Sequence, residues 1–183
     1  MGARAPESVA PSLADRFRAI YEAELDYVWN SLRRLGVPRC DLEDQAHDVF
    51  AAAYRCLDSY DPTRPLRPWL FGIAFRVASE HRRDRDRSHA DLDSAAQLAG
   101  GGPGPEEEAM ASQQRRLVLA ALERVELDRR AVFVMHELNG HAMPEIAEAL
   151  SIPLNTAYSR LRLARRDFAE AVQGVAAQQR SVR

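Results

Sequence analysis

The sequence contains no lysine, so all 25 of its basic residues are arginine. Against them stand 27 acidic residues, which gives a formal net charge of −2 at pH 7. A chain with this balance lacks the strongly basic surface by which a protein holds DNA on its own. Arginine nevertheless offers a planar pair of donors to phosphates and guanine edges, so local clusters of arginine are more informative than the net charge.

Long apolar runs are also missing, since no stretch approaches the roughly 20 residues that a membrane helix requires. The N-terminus has no apolar core like that of a signal peptide, so we expect a cytoplasmic protein without membrane insertion. Only two cysteines are present, Cys40 and Cys56, and their separation excludes a C-x-x-C pair. We expect both to be small buried side chains within helices.

Catalytic patterns are absent as well. The sequence has no evident nucleophile–base set, phosphate-binding loop or cluster of residues at metal-ligand spacing. We therefore predict no catalytic residues, no metal site and no cofactor, and an enzyme is the least favoured class of function.

Helical periodicity is what the sequence does contain. Apolar residues recur at three- and four-residue steps over 13–35, and Asp41 is expected to cap a second helix. Further helices are predicted near 67–87, 106–125, 128–138, 145–150 and 155–172. A run made only of glycine and proline at 100–105 predicts a flexible tether. We expect an all-α protein of two small helical domains, 12–87 and 111–172, joined by a flexible acidic Gly/Pro linker at 88–110.

The most specific local motif lies in the second domain. A short helix after Pro144, the turn Ser151-Ile152-Pro153 and a longer helix have the lengths of a helix-turn-helix. Asn155 or Thr156 is expected to cap the second helix. The residues expected in the core between the two helices are Ile146, Leu150, Ile152, Leu154, Ala157 and Leu161. The residues expected to point outward are Tyr158, Ser159, Arg162, Arg165 and Arg166, which favours DNA recognition over a merely solvated arginine face.

Three features of the first domain bear on function. The acidic residues at the start of the second helix interact favourably with the helix dipole. They either only cap this helix or also form a surface that binds a partner. The apolar run 69–75 is predicted to be core, with base stacking by an exposed aromatic as the alternative. The arginines of 76–87 are candidates for contacts with a DNA backbone, although interleaved Glu80, Asp84 and Asp86 weaken their field.

Together these motifs resemble the extracytoplasmic-function sigma factors of the bacterial sigma-70 family. The segments LEDQAHDVF (42–50) with Tyr54, RPWLFGIA (67–74) and HRR (81–83) resemble domain 2 of that family. The segments RAVF (130–133), ELNG (137–140), EIA (145–147) and TAYSRL (156–161) with Ala164 and Arg165 resemble domain 4. The resemblance covers about residues 13–168 in the family's order, with a linker in the family's place.

The resemblance implies an RNA polymerase sigma factor that directs promoter-specific transcription initiation in response to a stress or envelope signal. The implied partners are the clamp and flap of core RNA polymerase, promoter DNA and an anti-sigma factor. The residues implied for polymerase binding are Asp41, Glu43, Asp44, His47, Asp48 and Phe50. Those implied for the −10 element are Arg76, Glu80, Arg82 and Arg83. Those implied for the −35 element are Thr156, Tyr158, Ser159, Arg160, Arg162, Arg165 and Arg166.

The sequence also departs from the family's pattern. Arg76 stands where the family often has asparagine, and Tyr158 replaces a common basic residue. Gln45 and His47 replace a more usual leucine and glutamine in the clamp-binding helix. Two other hypotheses remain, a stand-alone helix-turn-helix regulator and a helical adaptor that binds only protein. The acidic second helix and the run 69–74 favour the sigma factor, because a regulator would more often be a dimer on a palindrome.

Overall fold

The computed structural model describes the backbone of residues 12–89 and 106–181 and the side chains of 12–87 and 113–175. Within these ranges every regular element is helical, which confirms the all-α prediction. The helices are α1 (Leu13–Leu35), α2 (Leu42–Cys56), α3 (Leu66–His89), α4 (Glu106–Glu123), α5 (Leu127–Phe133), α6 (Met143–Ala149) and α7 (Leu154–Ser181). A 3-10 turn, Leu57–Ser59, follows α2, and a π-helical turn, Val134–Leu138, continues α5. None of these described helices is long and apolar enough to cross a membrane.

The ends of α1 follow from residues within the sequence. The backbone N–H of Asp15 donates to Ser12 Oγ at 3.1 Å, and the Asp15 carboxylate accepts from the backbone N–H of Ser12. This capping box satisfies donors that the first turn leaves without partners. At the other end Gly36 adopts a left-handed conformation with φ of 96°, which glycine tolerates without strain.

The start of α2 differs from the prediction that Asp41 caps it. Asp41 precedes the helix, but its side chain makes no capping hydrogen bond. Its Oδ2 atom instead lies 2.9 Å from Nε2 of His81 on α3, without the alignment of a hydrogen bond. The carboxylate and the imidazole therefore bring the start of α2 close to α3.

Helices α1, α2 and α3 form the first lobe, in which each helix packs against the other two. Leu32, Val49, Leu70 and Phe71 are almost completely buried between them. The prediction that the run 69–75 is mainly core is confirmed over Leu70–Ala74, while Trp69 is half-buried with its ring 4.7 Å from that of Tyr60. Full burial of one such large side chain stabilises a fold by roughly 1.5–3 kcal/mol.

Helices α4 to α7 form the second lobe, where α4, α5 and α6 all pack against α7. Its core contains the fully buried Leu122, Val125, Val132, Met135 and Ile146. Of the predicted linker 88–110, residues 88–89 belong to α3 and 106–110 to α4, and 90–105 lie outside the described residues.

The expectation that both cysteines are buried is wrong. Cys40 lies in the turn before α2 and Cys56 is the last residue of α2, and both are exposed. Helical periodicity did not predict this exposure, because Cys40 lies outside the helix and Cys56 lies at its last position rather than on its inner face.

The two lobes pack against each other through α1 and α3 on one side and α4, α5 and α6 on the other. The buried guanidinium of Arg130 donates to the Leu35 carbonyl of the first lobe at 2.8 Å. It also donates to the carbonyls of Glu123 and Val125 in its own lobe. Burial lowers the pKa of Arg130 to about 10, so the side chain is still charged at neutral pH.

A chain of polar side chains also crosses between the lobes. Arg34 donates to Oδ1 of Asn139 at 2.6 Å, and Asn139 Nδ2 lies 3.3 Å from the Tyr27 hydroxyl. That hydroxyl lies 3.1 Å from Nε2 of His141. Burial raises the pKa of Tyr27 to about 12 and lowers the pKa of His141, so a neutral imidazole can accept a hydrogen bond from the hydroxyl.

Candidate nucleic-acid interface

The turn between α6 and α7 sets the angle of the second helix of the motif. Ser151 has a positive φ of 54°, a left-handed conformation that non-glycine residues seldom adopt. The N–H of Ile152 donates to the carbonyl of Ala147, and that of Ser151 donates to Glu148. These two hydrogen bonds form a Schellman motif that ends α6, and Pro153 follows at a position that cannot continue the helix.

The packing of α6 on α7 agrees with most of the core predicted for the motif. Ile146, Leu150, Ala157 and Leu161 are buried, and Ile152 packs against them partly buried. Leu154 was also predicted to be core, but its side chain is 42% exposed. It is the first residue of α7, where no preceding turn covers it.

The predicted cap of α7 is wrong in position. The helix begins at Leu154, before Asn155 and Thr156, so both lie inside its first turn. The N–H of Ala157 donates to the Pro153 carbonyl, and Ser159 Oγ donates to the Thr156 carbonyl. Thr156 is half-buried, whereas Tyr158 and Ser159 are exposed.

The outer face of α7 carries the side chains that were predicted to point outward. Tyr158 is 53% exposed, and Ser159, Arg162, Arg165 and Arg166 are exposed as well. Their spacing on one exposed helix, held by a short helix and a tight turn, is the arrangement that inserts into a major groove in helix-turn-helix proteins.

Most of the arginines of this helix whose side chains the structure describes are already paired. Arg160 lies 2.5 Å from Asp128, and Arg165 lies 2.6 Å from Glu137, where the ion pair holds the pKa of Glu137 below its usual value. Arg166 pairs with Asp167 at 3.1 Å. Arg162 is exposed and, among the described residues, has neither an ion pair nor a hydrogen bond. Its five N–H donors are thus available to a base edge or a phosphate.

The outer face of α3 presents the second group of predicted DNA contacts. Arg76, Glu80, Arg82 and Arg83 are all exposed. Arg83 donates to the Ser79 carbonyl of its own helix, and Arg82 lies 4.0 Å from Asp86. The four side chains line a cleft of about 550 Å³ whose opposite wall includes Glu126 and Asp128 from the start of α5.

The acidic face of α2 consists of Glu43, Asp44, His47 and Asp48, which are all exposed. Asp41 is half-buried beside His81. Phe50 does not belong to this face, because it is only 3% exposed and its ring packs against those of Phe17 and Tyr21. Its side chain therefore packs in the core of the first lobe, and its contact with core polymerase stays a prediction.

Sequence reasoning missed the residues that join the two lobes. Arg130 was noted only as part of a motif, and its position among the apolar Ala131, Val132 and Phe133 was the available sign of burial. Gly72 interrupts an otherwise apolar run, which is a sign of close backbone approach. No local sequence pattern predicted the hydrogen bond between Tyr27 and His141.

Comparison with known families gives two matches in chain order. Residues 20–88 match the family described as Sigma-70 region 2, and residues 115–168 match Sigma-70, region 4. The RNA polymerase sigma factor CnrH of Cupriavidus metallidurans is 33% identical over 141 residues, 73% of this chain and 74% of that protein. The ECF RNA polymerase sigma-E factor of Escherichia coli K12 is 30% identical over 146 residues, 75% of this chain and 76% of that protein.

Two solved structures share the fold. CnrH in complex with the cytosolic domain of CnrY matches with a TM-score of 0.62 and 23% identity, over 86% of this chain and 88% of that one. The sigma factor RpoE in complex with the anti-sigma factor NepR from Bartonella quintana matches with a TM-score of 0.66 and 20% identity, over 86% and 97%.

Proposed function

Because this chain belongs to the extracytoplasmic-function sigma factors of the sigma-70 family, we propose that its lobes divide the work of promoter recognition between them. The first lobe binds core RNA polymerase through α2 and reads the −10 element through α3. The second lobe reads the −35 element through α7 and sits on the polymerase flap. One chain would thereby read two unlike DNA elements.

The unpaired Arg162 is the observation that carries the −35 assignment. It projects from the exposed face of the second helix of a helix-turn-helix, beside Tyr158 and Ser159. The side chains of Arg165 and Arg166 are more than half exposed. They can therefore contact DNA phosphates while they remain in their ion pairs. Arg160 is turned toward Asp128 on α5, so we assign it to holding α7 in place.

The outer face of α3 supports the −10 assignment by its charge and exposure. Arg76 forms no ion pair or hydrogen bond with any described residue, and Arg83 makes only one hydrogen bond, to a backbone carbonyl. Arg82 adds a third cation on the same helix. Such side chains suit an unpaired DNA strand, whose backbone is negative and whose bases lie open.

The acids of α2 support binding to a basic surface of the polymerase. Glu43, Asp44 and Asp48 are exposed and, within the described residues, have no ion pair. Glu43 and Asp44 lie in the first turn of α2, where their carboxylates also interact favourably with the helix dipole.

We extend the proposal to regulation and location. The solved structures of CnrH and RpoE are complexes with CnrY and with the anti-sigma factor NepR, which supports an anti-sigma partner for this chain. The role would be non-enzymatic and cytoplasmic, exerted through binding and released by a stress or envelope signal.

Transcription in vitro tests the proposal. The purified chain should bind promoter DNA weakly alone and should direct initiation at specific start sites when added to core polymerase on host genomic DNA. Mapped start sites should share two spaced elements. Tight sequence-specific binding without polymerase, together with no retention of core enzyme, would instead favour a stand-alone regulator.

Replacing Arg162 by alanine should weaken discrimination among −35 sequences. If the guanidinium binds a guanine edge through two donors, the loss of discrimination is about 1–3 kcal/mol. Initiation from a library of promoters randomised over the −35 element measures this directly. Arg18→Ala removes an exposed arginine from α1 and serves as the control. An unchanged library preference for Arg162→Ala would show that this side chain is only solvated surface.

A further inference from the structure

Two large apolar side chains are exposed next to each other at the start of α7. Leu154 is 42% exposed and Tyr158 is 53% exposed, and they lie four residues apart, so they are neighbours on one face of the helix. Among the large apolar side chains that are exposed in the described parts of the chain, no other two lie within one helical turn of each other. Leu154 and Tyr158 therefore form an apolar patch that is open to solvent.

The packing of α6 on α7 does not account for this patch. The contact between these two helices is filled by Ile146, Leu150, Ala157 and Leu161, which are all buried. The Tyr158 side chain has neither a ring contact nor a hydrogen bond with any described residue. Apolar surface in water is unfavourable, and where it is contiguous and bordered by polar residues it is typical of an interaction site.

The apolar patch continues directly into the surface that is proposed to read DNA. Arg162 follows Tyr158 by four residues, so Leu154, Tyr158 and Arg162 form one stripe along the exposed side of α7. In helix-turn-helix proteins the N-terminal part of the second helix contacts the edges of the bases. Leu154 and Tyr158 lie in that part of α7, so the patch is placed to meet base edges rather than phosphates.

The chemistry of the major groove limits what such a patch can recognise. Base edges present nitrogen and oxygen donors and acceptors there, and the apolar group among them is the 5-methyl group of thymine. An apolar side chain offers nothing to the polar groups but gains free energy when it covers a methyl group. Burial of one group of this size changes affinity by about fourfold.

We propose that Leu154 and Tyr158 select thymine within the −35 element by packing against its 5-methyl group. This inference rests on the proposed function of α7, because the patch meets base edges only if the helix lies in the major groove. The helix rises by about 6 Å between Tyr158 and Arg162, which corresponds to about two base pairs of DNA. The selected thymines therefore lie within about three base pairs of the position that Arg162 reads.

Replacement of thymine by deoxyuridine tests the proposal on the DNA side. Deoxyuridine pairs with adenine as thymine does and lacks only the methyl group. The probe is the strongest promoter found by mapping start sites, with each thymine of the −35 element, on either strand, replaced in turn. Binding of core polymerase carrying the full-length chain, measured by competition, should weaken by about fourfold for each methyl group that the patch covers. Replacement of thymines between the two elements serves as the control.

Variants of the chain test the assignment to these two side chains. Leu154→Ala and Tyr158→Ala should each lose the preference for thymine over deoxyuridine at one or more of the affected positions. Tyr158→Phe keeps the ring and should keep the preference. Trp29→Ala removes a ring that is 36% exposed on α1 and should leave the preference unchanged. Each preference is a ratio of two affinities for one protein sample, so a fraction of unfolded variant does not change it.

The outcomes separate this inference from the proposed function. If deoxyuridine has no effect at any −35 thymine, or if the −35 element contains no thymine on either strand, the inference is wrong. A preference that persists in both alanine variants would show that another residue reads the methyl groups. Equal losses in Tyr158→Phe and Tyr158→Ala would assign the effect to the hydroxyl and also overturn the inference.

Transcription by the wild-type chain with core polymerase is measured in the same series. If the wild type initiates at promoters that share a −35 element, the proposed function stands whichever way the deoxyuridine probes behave. If it directs no transcription, the proposed function is wrong and the selection of thymine falls with it.

Discussion

Reversing Asp44 and Asp48 to arginine should reduce binding to core RNA polymerase by about 100-fold or more. The two carboxylates lie four residues apart on the exposed face of α2, so they form one negative surface. Among the described residues neither has an ion pair, so their charge is available to a partner. Like charges placed against each other in an interface cost several kcal/mol, and each 1.4 kcal/mol is about tenfold in affinity.

The effect is measured by titrating labelled protein with core enzyme at fixed ionic strength. Glu22 and Asp26 on α1 are also exposed acids four residues apart, so their double reversal makes the same change of charge at another site. This control should bind core polymerase almost as the wild type does. Equal losses of affinity in both double variants would mean that the net charge of the protein, rather than the acidic face of α2, determines binding to core polymerase.

Replacing Arg130 by methionine should lower the free energy of unfolding by about 3–5 kcal/mol, because each buried carbonyl left without a donor costs about 1–3 kcal/mol. Arg130 is only 4% exposed, and its guanidinium donates to the carbonyls of Leu35, Glu123 and Val125. Two of these carbonyls are at the ends of α1 and α4, where a cation also suits the helix dipoles. Methionine fills a similar volume but offers no donor.

Urea unfolding at pH 7 measures the loss. Arg129→Met is the neighbouring control, since Arg129 pairs with Asp167 at a partly exposed site and Asp167 keeps Arg166 as a partner. Its loss should be about 1 kcal/mol at most. Arg130→Lys should recover only part of the stability, because one ammonium group does not reproduce the planar fork. A similar small loss for both methionine variants would contradict the role assigned to Arg130.

The helices could be predicted from the sequence because their signals are local. The apolar spacing over 13–35 is visible within a few residues of chain, and the structure has α1 at Leu13–Leu35. The turn Ser151-Ile152-Pro153 and the outward position of Tyr158 and Arg162 also follow from local spacing. The family could be recognised from two motif sets in the right order.

The local spacing of apolar residues did not determine which other residues each helix face packs against. The ring of Phe50 lies on α2 beside the acidic face, yet the helix turns it toward Phe17 and Tyr21 of α1. Leu154 had the spacing of a core residue, but at the first turn of α7 it stays exposed. Cys40 and Cys56 were expected inside and are exposed, because Cys40 lies in the turn before α2 and Cys56 is the last residue of that helix.

The sequence alone determined that this protein is helical, where its helices run, and which helix carries the exposed arginines. Only the tertiary structure decided that Arg160 and Arg165 are held by Asp128 and Glu137 while Arg162 remains unpaired. It alone also decided that the lobes meet at Gly72 and Arg130. The physical reason is that periodicity and capping act over one or two helical turns, whereas ion pairs and lobe contacts join residues far apart in the chain.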